Sequence, residues 1–295
     1  MMLYLTTFRA VLIALSASVA MFGSGALADD LTGTLKKVKD SGTITIGNRE
    51  SSTPFSYLDE HGTPIGYSVD LCNRIVEEVK KTLGLPGLKT QYMTVAPAAR
   101  IPLLSNGTID LECSTTDRTL SRMRQVAFSV PTFVIGGRIL TKLGSGVTDW
   151  GDLRGKVIGV AQGTHTEQLV NALIATPAYA GTRVLTLKDH AQGLLALETG
   201  RVDGYVTDDI VLYGLRSTSR MKDQLTVTGK PLSVDTYGIV FRRDDPDFEI
   251  VVDRALSELY RSPEIQALYH KWFDRLDVPM SEENRIMYQI GSLGP

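Results

Sequence analysis

Strand and helix signals alternate along this chain in two separate series, and this order constrains the fold more than any other feature. In the first series the strand signal "TITIG" precedes the amphipathic helix signal "SVDLCNRIVEEVKK" and the strand signal "LKTQYMTV". The second series runs through "KVIGVAQ", "THTEQLVNALIAT", "TRVLTL" and "HAQGLLALETGR". Strands that alternate with helices of this length predict parallel α/β sheets. A chain of 295 residues is long enough for two such lobes.

The predicted lobes are connected twice. The first series ends at "IGGRILTKLGSG", and after the second series the chain returns through "GKPLSVDTYGIVFRR" to helix signals. Residues 136–142 and 235–241 are therefore predicted to be the two crossings. This gives a first lobe at 29–137, a second lobe at 138–236, and a return to the first lobe with C-terminal helices at 237–295. Two lobes joined by two extended strands form a hinge that closes around a ligand.

The first 28 residues are predicted to be a secretory signal peptide. Arg9 supplies a positive charge, residues 10–22 are apolar, and Ala26 and Ala28 form an Ala-x-Ala pattern with cleavage after Ala28. The apolar stretch is too short for a comfortable membrane span. An uncleaved membrane anchor is the alternative.

The two cysteines and the charge balance narrow the function classes. Cys72 falls in a predicted helix and Cys113 at a strand end, and export permits a disulfide between them, with two buried free thiols as the alternative. The formal net charge is −2 without a basic run, so nucleic acid is not a predicted partner. The four histidines lack metal-ligand spacing and no phosphate loop is present, so no metal or cofactor is predicted.

Polar residues follow the predicted strands, and in open α/β sheets this is where ligands bind. Arginine pairs with carboxylates in a planar fork, whereas an acidic residue suits an ammonium. Three arginines from the first lobe and an aspartate from the second suit an amino acid with an extra carboxylate. Surface pairing with Glu50 and helix capping are the structural alternatives for several of these residues. The candidates are Arg49, Ser51, Arg100, Ser114, Thr115, Thr116, Arg122, Thr164, His190 and Asp208.

Several motifs together resemble one family. They are "RESSTPFSYLDE", "GYSVDLCNRIVEEVKK", "ARIPLLSNGTIDLEC", "STTDRTLSRMRQVAFS", "GKVIGVAQGTHTE" and "LKDHAQGLLALETGRVDGYVTDD". In this order they resemble the periplasmic solute-binding proteins of polar amino-acid ABC importers, above all the glutamate/aspartate-binding members. The resemblance covers most of the predicted mature chain. It implies a two-lobed type II periplasmic-binding-protein fold, a monomer without catalysis, an inner-membrane ABC permease as partner, and a periplasmic location.

The resemblance also implies roles for single residues. Arg122 would hold the ligand α-carboxylate and Asp208 the α-ammonium. Arg49 and Arg100 would hold the side-chain carboxylate of an acidic ligand. The remaining polar contacts would come from Ser114, Thr116, Thr164 and His190. Glutamate, aspartate and their amides are alternative ligands.

The loop before Arg122 departs from the family pattern. Cys113 runs directly into Ser114, where relatives usually have a glycine. Counting back from Arg122 then places Asp117 where a hydroxyl is expected. The register of this loop against the ligand is therefore left open by one position.

Two other function classes remain as alternatives. A periplasmic enzyme on the same fold, such as a cyclohexadienyl dehydratase-like lyase, would need a general acid or base beside the carboxylate-binding arginine. Glu50 and His190 are the local candidates for that role. A detached sensory domain is the third class, but no transmembrane or kinase segment follows residue 290.

Overall fold

The structure is a computed structural model, and it describes residues 31–294 of the chain. The predicted signal peptide and its cleavage point lie outside these residues. Within them, no helix has the length and apolar character needed to cross a membrane.

The strands of the described chain are short. They are β1 (Thr43–Asn48), β2 (Ser51–Ser52), β3 (Ser56–Leu58), β4 (Pro64–Ile65), β5 (Lys89–Thr94), β6 (Leu111–Glu112), β7 (Val126–Phe128), β8 (Phe133–Ile135), β9 (Gly137–Lys142), β10 (Val157–Ala161), β11 (Arg183–Leu187), β12 (Gly204–Asp208), β13 (Leu225–Thr228), β14 (Asp235–Tyr237) and β15 (Val240–Arg242).

The helices lie mostly between these strands, and the last three follow β15. They are α1 (Gly33–Ser41), α2 (Tyr67–Leu83), α3 (Arg100–Ser105), α4 (Leu120–Met123), α5 (His165–Ile174), α6 (His190–Glu198), α7 (Asp209–Thr218), α8 (Pro246–Arg261), α9 (Glu264–Phe273) and α10 (Glu282–Gly291). Short 3₁₀ turns occur at Trp150–Leu153, Pro177–Tyr179, Lys222–Gln224 and Asp274–Leu276.

Two five-stranded sheets form the two lobes. The first has the order β5-β1-β6-β15-β7, in which β1 is parallel to β5 and β6, and β15 is antiparallel to β6 and β7. The second has the order β11-β10-β12-β9-β13, in which β10 is parallel to β11 and β12, and β9 is antiparallel to its neighbours. The predicted two-lobed α/β fold with parallel strands is confirmed. The bounds predicted for each lobe remain a proposal.

One predicted crossing lies in a different place. The lobes are joined by β8 and β14, an antiparallel pair in which Phe133 faces Tyr237 and Ile135 faces Asp235. Residues 136–142, predicted as the first crossing, mostly form β9 within the second sheet, because β9 pairs with both β12 and β13. The apolar sequence "AFSVPTFV" is divided between β7 and β8 around Pro131, which has no N–H for a ladder.

Helix α2 illustrates how the pattern produces the layer beside the first sheet. The helix ends at Gly84, which has the left-handed φ of 64° and donates its N–H to the carbonyl of Lys80. The apolar face predicted from the helical period is buried, and it consists of Val69, Cys72, Ile75, Val76 and Val79.

A cluster of aromatic rings packs behind the hinge pair. Phe55 lies at its centre, with ring centroids 5.0 Å from Phe133, 5.2 Å from Tyr237 and 5.6 Å from Phe273. Edge-to-face arrangements at these distances are favourable. The cluster fixes the "PFSY" segment against both crossing strands. The "KWF" segment contributes Phe273 to it.

Cys72 and Cys113 form a disulfide in the structure, with their Cα atoms 6.2 Å apart. The bond ties α2 to the end of β6. Both cysteines are fully buried. The disulfide therefore anchors the start of the loop that carries Ser114 to Asp117.

Candidate functional site

The candidate site lies where strand ends of both lobes meet the hinge pair. Arg49 follows β1, Arg100 opens α3 and Arg122 lies in α4, whereas His190 opens α6 and Asp208 ends β12. All of these side chains are buried. Arg122 Nη2 donates to the carbonyl of Gly163 in the second lobe at 3.2 Å, so residues of both lobes meet here.

Arg49 and Arg100 are buried cations with unused donors. Each exposes only 1% of its surface. Arg100 Nη1 donates to the carbonyl of Thr115 at 3.1 Å, whereas its Nε and Nη2 have no hydrogen-bond partner among residues 31–294. Arg49 Nη1 is also unpartnered within the described chain. Because a buried donor without an acceptor is costly, these groups favour a further acceptor, and their positive charge favours an anionic one.

The electrostatic surroundings of the two arginines indicate the same preference. Burial, together with the positive charge of Arg122, lowers the pKa of Arg100 to about 9. Burial also lowers the pKa of Arg49, and the carboxylate of Glu112 acts in the opposite direction. A guanidinium is disfavoured here until a further negative charge pairs with it.

Glu112, at the end of β6, is a buried carboxylate that orders the following loop. Ser114 Oγ donates to its Oε1, and Thr116 Oγ1 donates to its Oε2 at 2.6 Å. A hydroxyl has one hydrogen to donate, so Ser114 and Thr116 have only acceptor capacity left. That capacity suits an ammonium better than a carboxylate. Their predicted contact with a ligand remains a prediction.

Arg122 is the arginine whose donors are most engaged. Its Nη1 donates to the Asp117 carbonyl at 3.0 Å and to Asp117 Oδ2 at 2.9 Å. Its Nη2 reaches the other lobe and donates to the carbonyl of Gly163 at 3.2 Å. The loop before Arg122 thus supplies the carboxylate that pairs with this arginine.

Asp208 provides the buried carboxylate of the second lobe. Tyr237 Oη donates to its Oδ2, and Thr166 Oγ1 donates to its Oδ1 at 3.3 Å. Burial raises the pKa of Asp208 well above its usual range, and the negative charge of Asp117 raises it further. A cation beside these carboxylates would favour their ionised form, so this end of the site suits an ammonium.

His190 is buried and neutral. Its Nδ1 is 2.8 Å from Tyr205 Oη. Burial lowers the pKa of His190 well below its usual range, and the charges of Arg49 and Arg100 lower it further. The helix cap that was the alternative role belongs to its neighbour Asp189, which accepts from the N–H of Gln192 at 2.9 Å.

Two further candidates lie at the contact between lobes or within a cap. Ser51 Oγ accepts from the N–H of Ala191 at 3.3 Å, which connects the first lobe to α6. Thr164 Oγ1 accepts from the N–H of Glu167 and donates to the carbonyl of Ala161, so it caps α5. The hydroxyl of Thr164 thus has hydrogen-bond partners within the protein, and its contact with a ligand stays a prediction.

Glu50 does not take the role left open for it. It is exposed, and no ion pair joins it to Arg49 in the part of the chain that the structure describes. Nor is it a buried acid beside the arginines, as a dehydratase-like mechanism would require.

Sequence reasoning missed several buried polar partners in the site. Glu112 and Tyr237 lie within strands, whereas the rule for open α/β sheets predicts ligand contacts only after strand ends. A glutamate in the otherwise apolar "LEC" was a usable signal, because a buried carboxylate requires hydrogen-bond partners. Thr166 and Tyr205 carried no comparable signal, since threonine and tyrosine are ordinary residues in helices and strands.

Two glycines mark where the lobes approach each other closely. A Cβ on Gly163, whose φ is 75°, would lie 2.7 Å from Cα of Ala98 in the first lobe. A Cβ on Gly214 in α7 would overlap the carbonyl oxygen of Thr53. The lobes are therefore in close contact at both of these glycines.

The described residues contain no cluster of three or more histidine, cysteine, aspartate or glutamate side chains arranged to hold a metal ion. The buried charged groups of the site are of both signs. We call Arg49 and Arg100 the cationic end, and Asp208 with Asp117 the anionic end.

Comparison with known proteins gives consistent matches. The model of the bacterial extracellular solute-binding proteins, family 3, matches residues 44–275. The L-glutamate/L-aspartate-binding protein of Pseudomonas aeruginosa is 43% identical over 273 residues, which cover 90% of this chain and 90% of that protein. The glutamate/aspartate import solute-binding protein of Escherichia coli K12 is 39% identical over 261 residues, or 88% of this chain and 85% of that one.

Solved structures share the architecture. An ancestral arginine-binding protein bound to arginine has a TM-score of 0.71 and 29% identity, covering 79% of this chain and 98% of that chain. The ancestral amino acid-binding protein AncCDT-1, a precursor of cyclohexadienyl dehydratase, has a TM-score of 0.70 and 25% identity, covering 82% of this chain and 100% of that chain.

Proposed function

The chain belongs to the bacterial extracellular solute-binding proteins, family 3, and on this basis we propose that it captures glutamate or aspartate between its lobes for delivery to an ABC importer. Its curated relatives at 39–43% identity are solute-binding proteins rather than enzymes. Binding, not catalysis, is its function.

The observation that carries this proposal is the presence of buried, unpartnered donors at the cationic end. Arg49 and Arg100 leave three buried nitrogens without partners among the described residues. Guanidinium groups bind carboxylates through paired, charge-assisted hydrogen bonds. A ligand with a second carboxylate satisfies these donors, whereas an amide or an aliphatic side chain leaves a charge unpaired.

The other groups of an acidic amino acid have matching partners. Its ammonium is directed to Asp208, whose carboxylate is held by Tyr237 and Thr166. Its α-carboxylate is directed to Arg122. The hydroxyl oxygens of Ser114 and Thr116 can still accept hydrogen bonds, so they suit a ligand ammonium better than a ligand anion.

Cellular context completes the proposal. The protein acts as a monomer in the periplasm after removal of a signal peptide, and the closed pair of lobes is what an inner-membrane permease recognises. These points rest on family membership and on the leader-like sequence of residues 1–28.

The test is isothermal titration calorimetry of the purified protein with each of the twenty amino acids. Glutamate or aspartate should bind with Kd near or below about 1 μM, which corresponds to about 8 kcal/mol. Glutamine and asparagine should bind at least about 100-fold more weakly, because they lack the charge for Arg49 and Arg100. Tighter binding of a neutral or basic amino acid than of either acid would overturn the proposal.

Arg100→Gln sharpens the test. It should weaken glutamate binding by about 100-fold or more, since the side-chain carboxylate loses a buried charge partner. The matched control is Arg183→Gln, which removes an exposed arginine from β11 and should leave the affinity unchanged. Equal effects of the two substitutions would place the acidic side chain elsewhere.

A further inference from the structure

Asp117 is a buried carboxylate that the proposed binding scheme does not use. It is 3% exposed and lies in the loop between β6 and α4. It faces Tyr237 of the hinge pair through an isolated antiparallel bridge. Its side chain therefore lies at the junction of the first lobe, the hinge and the ligand site.

The three arginines of the site are not equally available. Arg122 already has a carboxylate, since its Nη1 is 2.9 Å from Asp117 Oδ2 and also binds the Asp117 carbonyl. Arg49 and Arg100 have no ion pair of this kind within the described residues, and they retain unpartnered donors. The arginine proposed to receive the α-carboxylate is thus the one that the protein neutralises itself.

Asp117 also belongs to the anionic end. Its backbone bridges Tyr237, whose hydroxyl donates to the Asp208 carboxylate, and these two groups form the proposed ammonium site. The negative charge of Asp117 also raises the pKa of Asp208. Two carboxylates near each other repel, and an ammonium between them relieves that repulsion. Displacement from Arg122 would leave Asp117 beside the ligand ammonium.

We propose that Asp117 is a specificity-determining residue that competes with the ligand α-carboxylate for Arg122 and, once displaced, selects for a ligand with an ammonium group. The inference rests on the proposed function. The α-carboxylate of glutamate replaces the Asp117 carboxylate on Arg122. The ammonium group of glutamate then compensates the negative charge of Asp117. Glutarate, the same dicarboxylate without the amino group, displaces Asp117 but leaves it uncompensated beside Asp208.

The experiment is calorimetry of the wild-type protein and of Asp117→Asn with glutamate and with glutarate. In the variant, glutamate should bind about tenfold or more tightly, because Arg122 no longer exchanges an internal partner for the ligand. Glutarate should gain more than glutamate, so the preference for glutamate over glutarate should fall about tenfold. Asp40→Asn, which removes an exposed negative charge from α1, should change neither affinity.

The outcomes separate this inference from the proposed function. If the wild-type protein binds neither glutamate nor aspartate, the proposed function is wrong. If it binds them but Asp117→Asn binds glutamate equally or more weakly, Asp117 is not a competitor. If both ligands gain equally, Asp117 does not select for the ammonium.

A second readout keeps the test decisive if the asparagine variant folds poorly. Asp117→Thr also removes the charge and is smaller. In either variant, the ligand-free melting temperature should fall, because Arg122 loses its buried partner, and glutamate should raise the melting temperature by more than it does in the wild type. Unchanged ligand-induced shifts in both variants would overturn the inference.

Discussion

At the scale of single residues, three side chains of the same type differ in their hydrogen-bond partners. Arg49, Arg100 and Arg122 are all buried arginines of the first lobe. Arg122 has an internal carboxylate, Arg100 has one carbonyl, and Arg49 has an unpartnered nitrogen in the described structure. The loop from Glu112 to Asp117 causes this difference. The carboxylate of Glu112 accepts from hydroxyls of the same loop, whereas the carboxylate of Asp117 pairs with Arg122.

His190 gives a pH prediction with a definite sign. Because its folded-state pKa is well below the usual value, the unfolded chain binds a proton that the folded protein does not. Stability due to this group is therefore complete above the unfolded pKa of about 6.5 and decreases as pH falls below it, by up to about 1.4 kcal/mol per pH unit. His190→Gln should reduce the loss of unfolding free energy between pH 7.5 and pH 5 by about 2 kcal/mol.

Urea denaturation at the two pH values measures this effect. Asp208, whose pKa is raised, contributes the opposite slope, with stability falling as pH rises, so the comparison of variant with wild type isolates His190. His61→Gln removes an exposed histidine and should leave the slope unchanged. A wild-type slope in His190→Gln would show that this ring accepts a proton in the folded protein.

At the scale of elements, sequence patterns predicted what local physics controls. The buried face of α2 follows from the helical period, and Gly84 ends the helix as expected. The positions of Arg49, His190 and Asp208 beside strand ends were predictable because strand ends converge at one edge of each sheet, and their contact with a ligand stays a prediction. Strand boundaries near Pro131 and the start of β9 were not found, because apolar residues on both sides of the hinge look alike until their pairing partners are known.

The site was predictable only in part, for a related reason. Residues after strands carry a positional signal, whereas Glu112 and Tyr237 lie inside strands and act through partners distant in sequence. Tyr237 meets Asp208 across 29 residues. No local pattern specifies that contact, since it depends on how the two lobes are joined.

The disulfide between α2 and the end of β6 gives a stability prediction. It closes a loop with a sequence separation of 41 residues. Loop-closure entropy for this length predicts that Cys72→Ala combined with Cys113→Ala lowers the free energy of unfolding by about 4 kcal/mol. Urea denaturation measures it, and a reducing agent should destabilise the wild type but not the double variant. A difference below about 1 kcal/mol would mean that the unfolded chain is not constrained by this bond.

At the scale of the whole molecule, the approach of the lobes depends on glycine at the contact. Gly214 lies within α7, and its missing side chain admits the carbonyl of Thr53 from the first lobe. An alanine fits the helix itself and improves its intrinsic propensity by up to about 1 kcal/mol. We expect the steric cost of that substitution to fall on the arrangement in which α7 contacts Thr53.

Gly214→Ala should therefore weaken glutamate binding by about tenfold or more without lowering the melting temperature of the ligand-free protein. Small-angle X-ray scattering should show less contraction on adding glutamate than in the wild type. Gly151→Ala, where a Cβ meets nothing within 4 Å, is the matched control. Wild-type affinity and contraction in Gly214→Ala would mean that α7 does not limit closure.

The antiparallel pair of β8 and β14 has a mechanical consequence for the second lobe. The strands of that lobe lie in one continuous length of chain, and both of its attachments are adjacent, hydrogen-bonded strands. Because the two connections are adjacent and hydrogen-bonded to each other, we expect the second lobe to rotate about a single axis through them. The pairing of the strands opposes a translation along that axis. The Tyr237 hydroxyl, which lies on one of these strands, donates to the Asp208 carboxylate of the second lobe, so the proposed ammonium contact lies close to this axis, where a rotation of the lobe would displace it least.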